Sequence, residues 1–366
     1  LGRAIQGLGG GIVIGTCYAL IPDLFDRAIL PRVFALVSGA WGIAALVGPS
    51  LGGLLAATIS WRGAFVSIGA ILIVALALAV QAIPPGLRSV DPARRMPLGR
   101  LTLILIAAVS LGLTAHASGV ITQVMFVASA LGLLVWSLKL DQRSPQHLFP
   151  SAITSLKDPL GASFWTLFLL ALTTSPIDIF LPLLVQSLQG VSPIVAGYFH
   201  AAEALSWTCA ALACAGLSRP HVRIAVAIGP LSCLLGLLGL AWNLRADSLI
   251  VIGACVVLIG AGIGCCWAHL SNLVVESAQR SEETIAATLI PTTQLVATAF
   301  GGAGAEIIAT ASGLKGHVML AAATATSLWL YGIFGLAPLL AIAVTQRSPA
   351  LRLSLRPMLQ ARDAAD

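Results

Sequence analysis

Two carboxylates and an imidazole stand where charge is expensive. Asp178 lies in the otherwise uncharged run 160–188, and His200 and Glu203 lie in the next apolar run, 194–217. Ionisable side chains inside long apolar segments are rare and mark ion or substrate pathways. Asp178 precedes the end of its run by about ten residues and Glu203 follows the start of the next by about as many. At a helical rise of 1.5 Å per residue both reach a depth of about 15 Å. His200, three residues before Glu203, shares its helical face. Two acids at matched depth can share a proton or a cationic substrate, and a neighbouring histidine can relay the proton. In the bland alternative Asp178 is held by the hydroxyls of Thr173, Thr174 or Ser175 beside Pro176. Glu306, near the end of a later run, is accounted for by solvation.

A fourth charge, Arg3, opens the stretch LGRAIQGLGGGIVIG. A cation inside a bilayer costs about 2.5–3.5 kcal/mol on insertion scales. Arg3 therefore either lines a cavity or snorkels to an interface. The glycines beside it do not make a nucleotide loop: Ile12 occupies the sixth place of the G-x-G-x-x-G pattern, and no strand-like run precedes it.

Positioning such residues falls to elements that composition identifies. Of 366 residues, 58% are hydrophobic and 9% charged, against about 25% charged in soluble domains. Lipid is therefore the expected solvent. Crossing it takes about 20 apolar residues per helix, and eleven runs meet the requirement: 1–24, 33–59, 63–83, 101–117, 120–140, 160–188, 194–217, 222–244, 248–275, 284–311 and 318–344. The expected fold class is an all-α polytopic membrane protein. Period-2 alternation, which a transmembrane barrel requires, is absent, as is a signal peptide with a cleavage site.

Alternating the connections between two faces puts sixteen of the twenty Lys and Arg residues on one face and three, Arg62, Arg245 and Lys315, on the other. Basic residues accumulate on the cytoplasmic side, so a multi-pass inner-membrane protein with a cytoplasmic C-terminus is expected. The net charge of +6 then serves anionic headgroups rather than nucleic acid. All seven cysteines lie in apolar runs. Cys265, Cys266 and His269 share one helical turn, a spacing a soft metal can use, but small polarizable core residues explain them as well. Neither a metal nor another cofactor is expected, and an intramembrane enzyme lacks its nucleophile set.

Polar interruptions at 84–100 and 139–159 divide the spans into three, two and six. A shift of 253 residues places Gly7, Gly9 and Gly11 over Gly260, Gly262 and Gly264, Asp23 over Glu276, Arg27 over Arg280 and Gly48 over Gly301. Parallel repeats with a substrate cavity at their interface are one plan for transporters. Residues 1–83 then read as the remainder of an N-terminal half, 84–158 as linkers around a central two-helix hairpin, 159–346 as a six-helix C-terminal half, and 347–366 as a cytoplasmic tail.

Three stretches carry a resemblance. Arg3-Ala4-Ile5-Gln6-Gly7-Leu8-Gly9-Gly10 is similar to the R-x-x-Q-G-x-G-G stretch of helix four in the major facilitator superfamily. The sequence from Gly39 through Trp41, Gly42, Gly48-Pro49-Ser50-Leu51-Gly52-Gly53 resembles the antiporter motif of helix five, with its G-P-x-x-G-G core. Trp61-Arg62 with Phe65 resembles the start of helix six. The resemblance extends over nearly the whole chain and points to the fourteen-helix branch of drug:proton antiporters. It implies that the first three helices of fourteen are missing from this polypeptide.

Function follows from the resemblance as an expectation: proton-coupled export of small hydrophobic or cationic compounds by alternating access. Arg3, Asp178, Glu203 and His200 would handle charge. Gly39, Gly42, Gly48, Pro49, Gly52 and Gly53 would form a close, bendable seam, since small residues let helices approach and proline bends them; a generic packing face is the alternative. Trp41, Trp165, Trp207, Phe199 and Tyr198 are candidates for an aromatic cavity wall or for interfacial anchors. Protons, small molecules and lipid are the expected partners; the sequence says nothing of a periplasmic adaptor. A metabolite exporter on the same fold, or a transport-inactive fragment acting as a sensor or assembly partner, remains open.

Overall fold

A computed structural model describes residues 2–83, 97–244, 248–314 and 320–347. Among the described residues the regular structure is entirely helical: α1 Gly2–Leu24, α2 Leu30–Thr58, α3 Trp61–Ala82, α4 Leu98–Leu113, α5 Val120–Gln142, α6 Pro159–Gln189, α7 Pro193–Cys214, α8 Arg219–Asn243, α9 Leu249–Glu276, α10 Glu283–Ala311, α11 Leu320–Phe334 and α12 Leu336–Arg347. The expected all-α polytopic membrane fold is what forms.

Among the described residues ten helical stretches are long and apolar enough to cross a membrane, where the hydropathy runs give eleven. The difference is α7, whose apolar character is diluted by His200, Glu203, Ser206 and Thr208. Its polarity is affordable because α2, α6 and α9 pack around it. The last span, Leu320–Gln346, is interrupted at Gly335, between α11 and α12. Pro338 there has no N–H to offer the carbonyl of Phe334, and glycine is a poor helix former.

Helix α9 forms the centre of the C-terminal bundle, lying against α6, α7 and α8, while α6 also packs on α10. In lipid, association between helices comes from close packing rather than from expulsion of water, and glycines set the approach. A Cβ at Gly262 would come within 2.6 Å of the Gly229 carbonyl oxygen and 2.8 Å of Ser232 Cβ, and one at Gly229 would meet the Gly262 oxygen at 2.6 Å. The α8 and α9 backbones therefore touch. Gly260 and Gly264 face α7 as tightly, through the carbonyls of Glu203 and Trp207. Their counterparts in the 253-residue repeat differ: no described residue lies within 4 Å of a Cβ built on Gly7, Gly9 or Gly11.

Two further units attach to this bundle. Helix α1 packs on α10, and α2 packs on α7 and α9, while α3 touches chiefly α2 and presents Val66, Ile71, Ile73 and Leu78 outward, as a lipid-facing helix does. The α4–α5 hairpin leans on α10, where the buried Gln123 amide donates to Thr310 Oγ1 at 2.9 Å and to the carbonyls of Thr114 and Ala117. At the hairpin's other end Arg100 pairs with Asp141, and the Asp141 carboxylate also accepts from the amides of Leu148 and Phe149 at 2.8 and 3.0 Å. Arg100 thus belongs to α4 rather than to a connection, and its charge is neutralised inside the fold.

Candidate functional site

The turn between α6 and α7 sets the depth of the site. Asp158 opens α6 by accepting from the Leu160 amide at 2.8 Å, with Pro159 in the first turn. Gly190 closes it with φ of 65°, a left-handed conformation suited to glycine. Ser192 then accepts from the Val195 amide and Pro193 starts α7. Asp178 lies twelve residues before Gly190, and Glu203 eleven after Ser192. Antiparallel helices with a rise of 1.5 Å per residue therefore bring the two acids to within about 2 Å of the same level.

His200 connects them. Its Nδ1 lies 3.3 Å from Asp178 Oδ1 and 3.7 Å from Glu203 Oε2. Glu203 is the deep member, its side chain 4% exposed, while Asp178 and His200 are 32% and 40% exposed. With a neutral imidazole the three groups carry a formal charge of −2, so each proton or cation taken up is electrostatically favoured. Opposite charges about 4 Å apart attract by about 4 kcal/mol at an effective dielectric of 20. The hydroxyls beside Pro176 are engaged elsewhere: Thr173 donates to Leu169 O, and Thr174 and Ser175 to Ala171 O. Asp178 is oriented by its neighbour on α7 instead.

The triad opens on a cavity of about 340 Å³ between the α1–α2 unit and the C-terminal bundle. Trp41, Trp207 and Trp267 form an aromatic wall, with Trp207 and Trp267 ring centroids 5.3 Å apart. Tyr18, Ser38, Thr208, Gln294 and Thr298 add polar groups from four helices. None of these five was singled out from the sequence. Gln294 and Thr298 share a face of α10 at a spacing of one turn, and that was the available signal. No lysine or arginine lines the cavity among the described residues, and Glu306 is not part of its wall.

The other candidates fall elsewhere. Trp165 donates to Ile153 O at 3.0 Å and lines a separate, almost wholly apolar cleft of about 710 Å³ between the hairpin and the bundle. Tyr198 is exposed and Phe199 is buried in the core. His269 Nε2 lies 2.8 Å from the Cys214 carbonyl oxygen, Cys266 donates back to Gly262 O, and all seven cysteines are free. In α2 the close approach is at Gly42, where a Cβ would collide with Thr208 Oγ1. A Cβ on Gly39 would lie 3.9 Å from Thr208 Cγ2, and one on Gly48 would meet no described residue of another element within 4 Å. Gly10, like Gly7 and Gly9, also faces open space, and Gln6 lies beside Gly7 and one turn from Gly9 and Gly10 on α1. The side chains of Arg3 and Pro49, and the surroundings of Gly52 and Gly53, lie outside the described residues.

Contacts between the α1–α2 unit and the bundle include an ion pair between Arg27, beyond the end of α1, and Glu283, at the start of α10. Tyr18, Ile21, Leu30, Phe34 and Ala35, near that same end, are buried. Toward the opposite end Ile5, Leu8, Ile12, Leu46 and Val47 are exposed. The cavity is therefore covered on the Arg27 side.

Comparison with known proteins places this geometry in context. The family model described as Major Facilitator Superfamily matches residues 1–302. A protein named "Probable multidrug-efflux transporter" in Mycobacterium tuberculosis is 32% identical over 325 residues, which cover 85% of this chain and 69% of that protein. An uncharacterized transporter of Escherichia coli K12 is 25% identical over 342 residues, covering 88% of this chain and 72% of that one. Among solved structures, the human organic anion transporter MFSD10 aligns over 92% of this chain and 83% of its own at 16% identity, with a TM-score of 0.43.

Proposed function

Since the chain belongs to the major facilitator superfamily, by the family match over residues 1–302 and a relative at 32% identity, we propose that it acts as a proton-coupled exporter of small hydrophobic or cationic compounds, of the fourteen-helix drug:proton antiporter type. The observation that carries this reading is the buried Glu203, joined through His200 to Asp178 and facing a cavity with an aromatic wall. A cationic aromatic compound fits both parts: the acids answer its charge and the tryptophans its flat rings, by cation–π and stacking contacts. The same acids bind protons, so substrate and proton compete for one negative site, the requirement for exchange.

Alternating access then needs the α1–α2 unit to rock against the bundle. The α2–α7 contact at Gly42 and Thr208 and the Arg27–Glu283 pair hold the conformation closed at the Arg27 end. Opening that end breaks the pair and separates the contact. By the distribution of basic residues this end is cytoplasmic, with the C-terminus on the same side. One proton exchanged per substrate supports about a tenfold concentration ratio per pH unit, or 1.36 kcal/mol. The test is efflux of a fluorescent cation from proteoliposomes under an imposed pH gradient. Glu203→Gln should abolish gradient-driven efflux while leaving counterflow of the dye between its two sides, and full gradient-driven efflux in the Asp178→Asn/Glu203→Gln double variant would remove the coupling site.

A further inference from the structure

We infer that Asp178, His200 and Glu203 form a binding site for a divalent transition-metal cation, with its remaining coordination positions open to the cavity. One atom from each side chain lies within 4.8 Å of the other two. For metal–ligand bonds of about 2.1 Å, the edges of a tetrahedral ligand set are about 3.4 Å. The two edges from His200 Nδ1, at 3.3 and 3.7 Å, already match this. The remaining edge between the acids closes by a side-chain rotation of Asp178, which at 32% exposure has room to move.

Two further observations point to a ligand. Among the described residues the buried Glu203 carboxylate accepts no hydrogen bond, its polar neighbour His200 Nδ1 lying 3.7 Å away, and that nitrogen is itself shielded from the surface with the Asp178 carboxylate 3.3 Å beside it. Buried polar atoms of this kind are normally satisfied, and a cation between them satisfies both. Charge agrees: two carboxylates and a neutral imidazole carry −2, matching a divalent ion, and no basic side chain competes among the described residues of the wall. One imidazole with two carboxylates is a donor set for Zn²⁺ or Mn²⁺ rather than for Cu⁺, which favours thiolate, or Mg²⁺, which favours all-oxygen ligation. Three protein ligands leave one or more positions for water or for donor atoms of a bound compound, and the 340 Å³ cavity gives space for them. Ligation displaces protons from the same atoms, so the ion and the protons are alternatives at one site.

The site is the one on which the transport proposal rests, but ion binding needs no transport and is measured separately. Purified protein in lipid nanodiscs is titrated with Zn²⁺ by calorimetry and with Mn²⁺ by electron paramagnetic resonance, the cysteine thiols elsewhere in the bundle being poor ligands for Mn²⁺. One ion per chain is expected, with affinity rising about tenfold or more between pH 5.5 and 7.5. Glu203→Gln and His200→Gln should each weaken it at least tenfold, and Cys265→Ser should leave it unchanged. Asp178→Asn, at the more exposed position, provides a variant whose folding is checked by its melting temperature. Absence of Mn²⁺ and Zn²⁺ binding by the folded protein, or binding unaltered in the Asp178→Asn and Glu203→Gln variants, overturns the inference. Gradient-driven dye efflux that is lost in Glu203→Gln alongside absent metal binding would sink the metal site and leave the proton reading standing.

Discussion

Replacing Gly42 by alanine adds one carbon where there is no room for it. The new Cβ would collide with Thr208 Oγ1, approach Thr208 Cβ at 2.8 Å and lie 3.2 Å from the Ala204 carbonyl oxygen. Thr208 cannot simply rotate away without cost, because its hydroxyl donates to Ala204 O at 2.9 Å and approaches Ser38 O at 3.4 Å. The backbone contact to Ala204 survives any rotamer. Relief therefore needs α2 to move off α7, and overpacking of this kind costs about 1–3 kcal/mol. The contact joins the two moving units, so the cost falls on the conformation closed at the Arg27 end and shifts its population by about 5- to 150-fold. Spin labels at the Arg27 end of α2 and α7, read by pulsed dipolar spectroscopy, should show a longer distance in Gly42→Ala. Thr208→Gly in the same chain removes two of the three conflicts and should restore most of the short distance. Gly48→Ala is the control: its Cβ meets open space, and alanine favours the helix by up to about 1 kcal/mol. If Gly42→Ala and Gly48→Ala give the same distance distribution, the seam is not where the structure puts it and the rocking proposal loses its pivot.

Other perturbations give separate checks. Asp141→Asn strands the largely buried Arg100 and weakens the bonds from the Leu148 and Phe149 amides; loss of one partner of a buried pair costs about 3–5 kcal/mol, so thermal unfolding in detergent should begin markedly earlier, and Arg100→Met/Asp141→Leu should recover much of the loss. Gly262→Ala should lower yield and melting temperature because its Cβ would press on the α8 backbone, whereas Gly9→Ala, its repeat counterpart, should be silent in this chain. Glu283→Gln removes the charge partner of the exposed Arg27; surface pairs contribute about 0–1 kcal/mol, so a small drift toward opening at that end is expected, and it should shrink as salt rises. Gln123→Leu takes away the amide that ties the hairpin to Thr310, and faster hydrogen exchange across α4 and α5 would report the loosened dock.

The membrane class, the helices and the level of the two acids were legible in the linear chain because they depend on local quantities: run length against bilayer thickness, rise per residue, and the energy of charge in lipid. The short break between the runs 160–188 and 194–217 already set Asp178 opposite Glu203. Partnership was not legible. The repeat aligns Gly9 with Gly262, yet only Gly262 is held against another backbone, because a glycine in a sequence records permission for close approach and not the presence of a neighbour. Arg100 was counted among the basic connections, but its helix and the buried Asp141, 41 residues away, were decided by how the hairpin closes. The cavity wall likewise draws residues from α1, α2, α6, α7, α9 and α10, and no spacing along the chain ties one helix's contribution to another's. What lipid demands of each helix is written in that helix alone; which faces meet, and so which charges share a cavity, is settled only when all the helices pack at once.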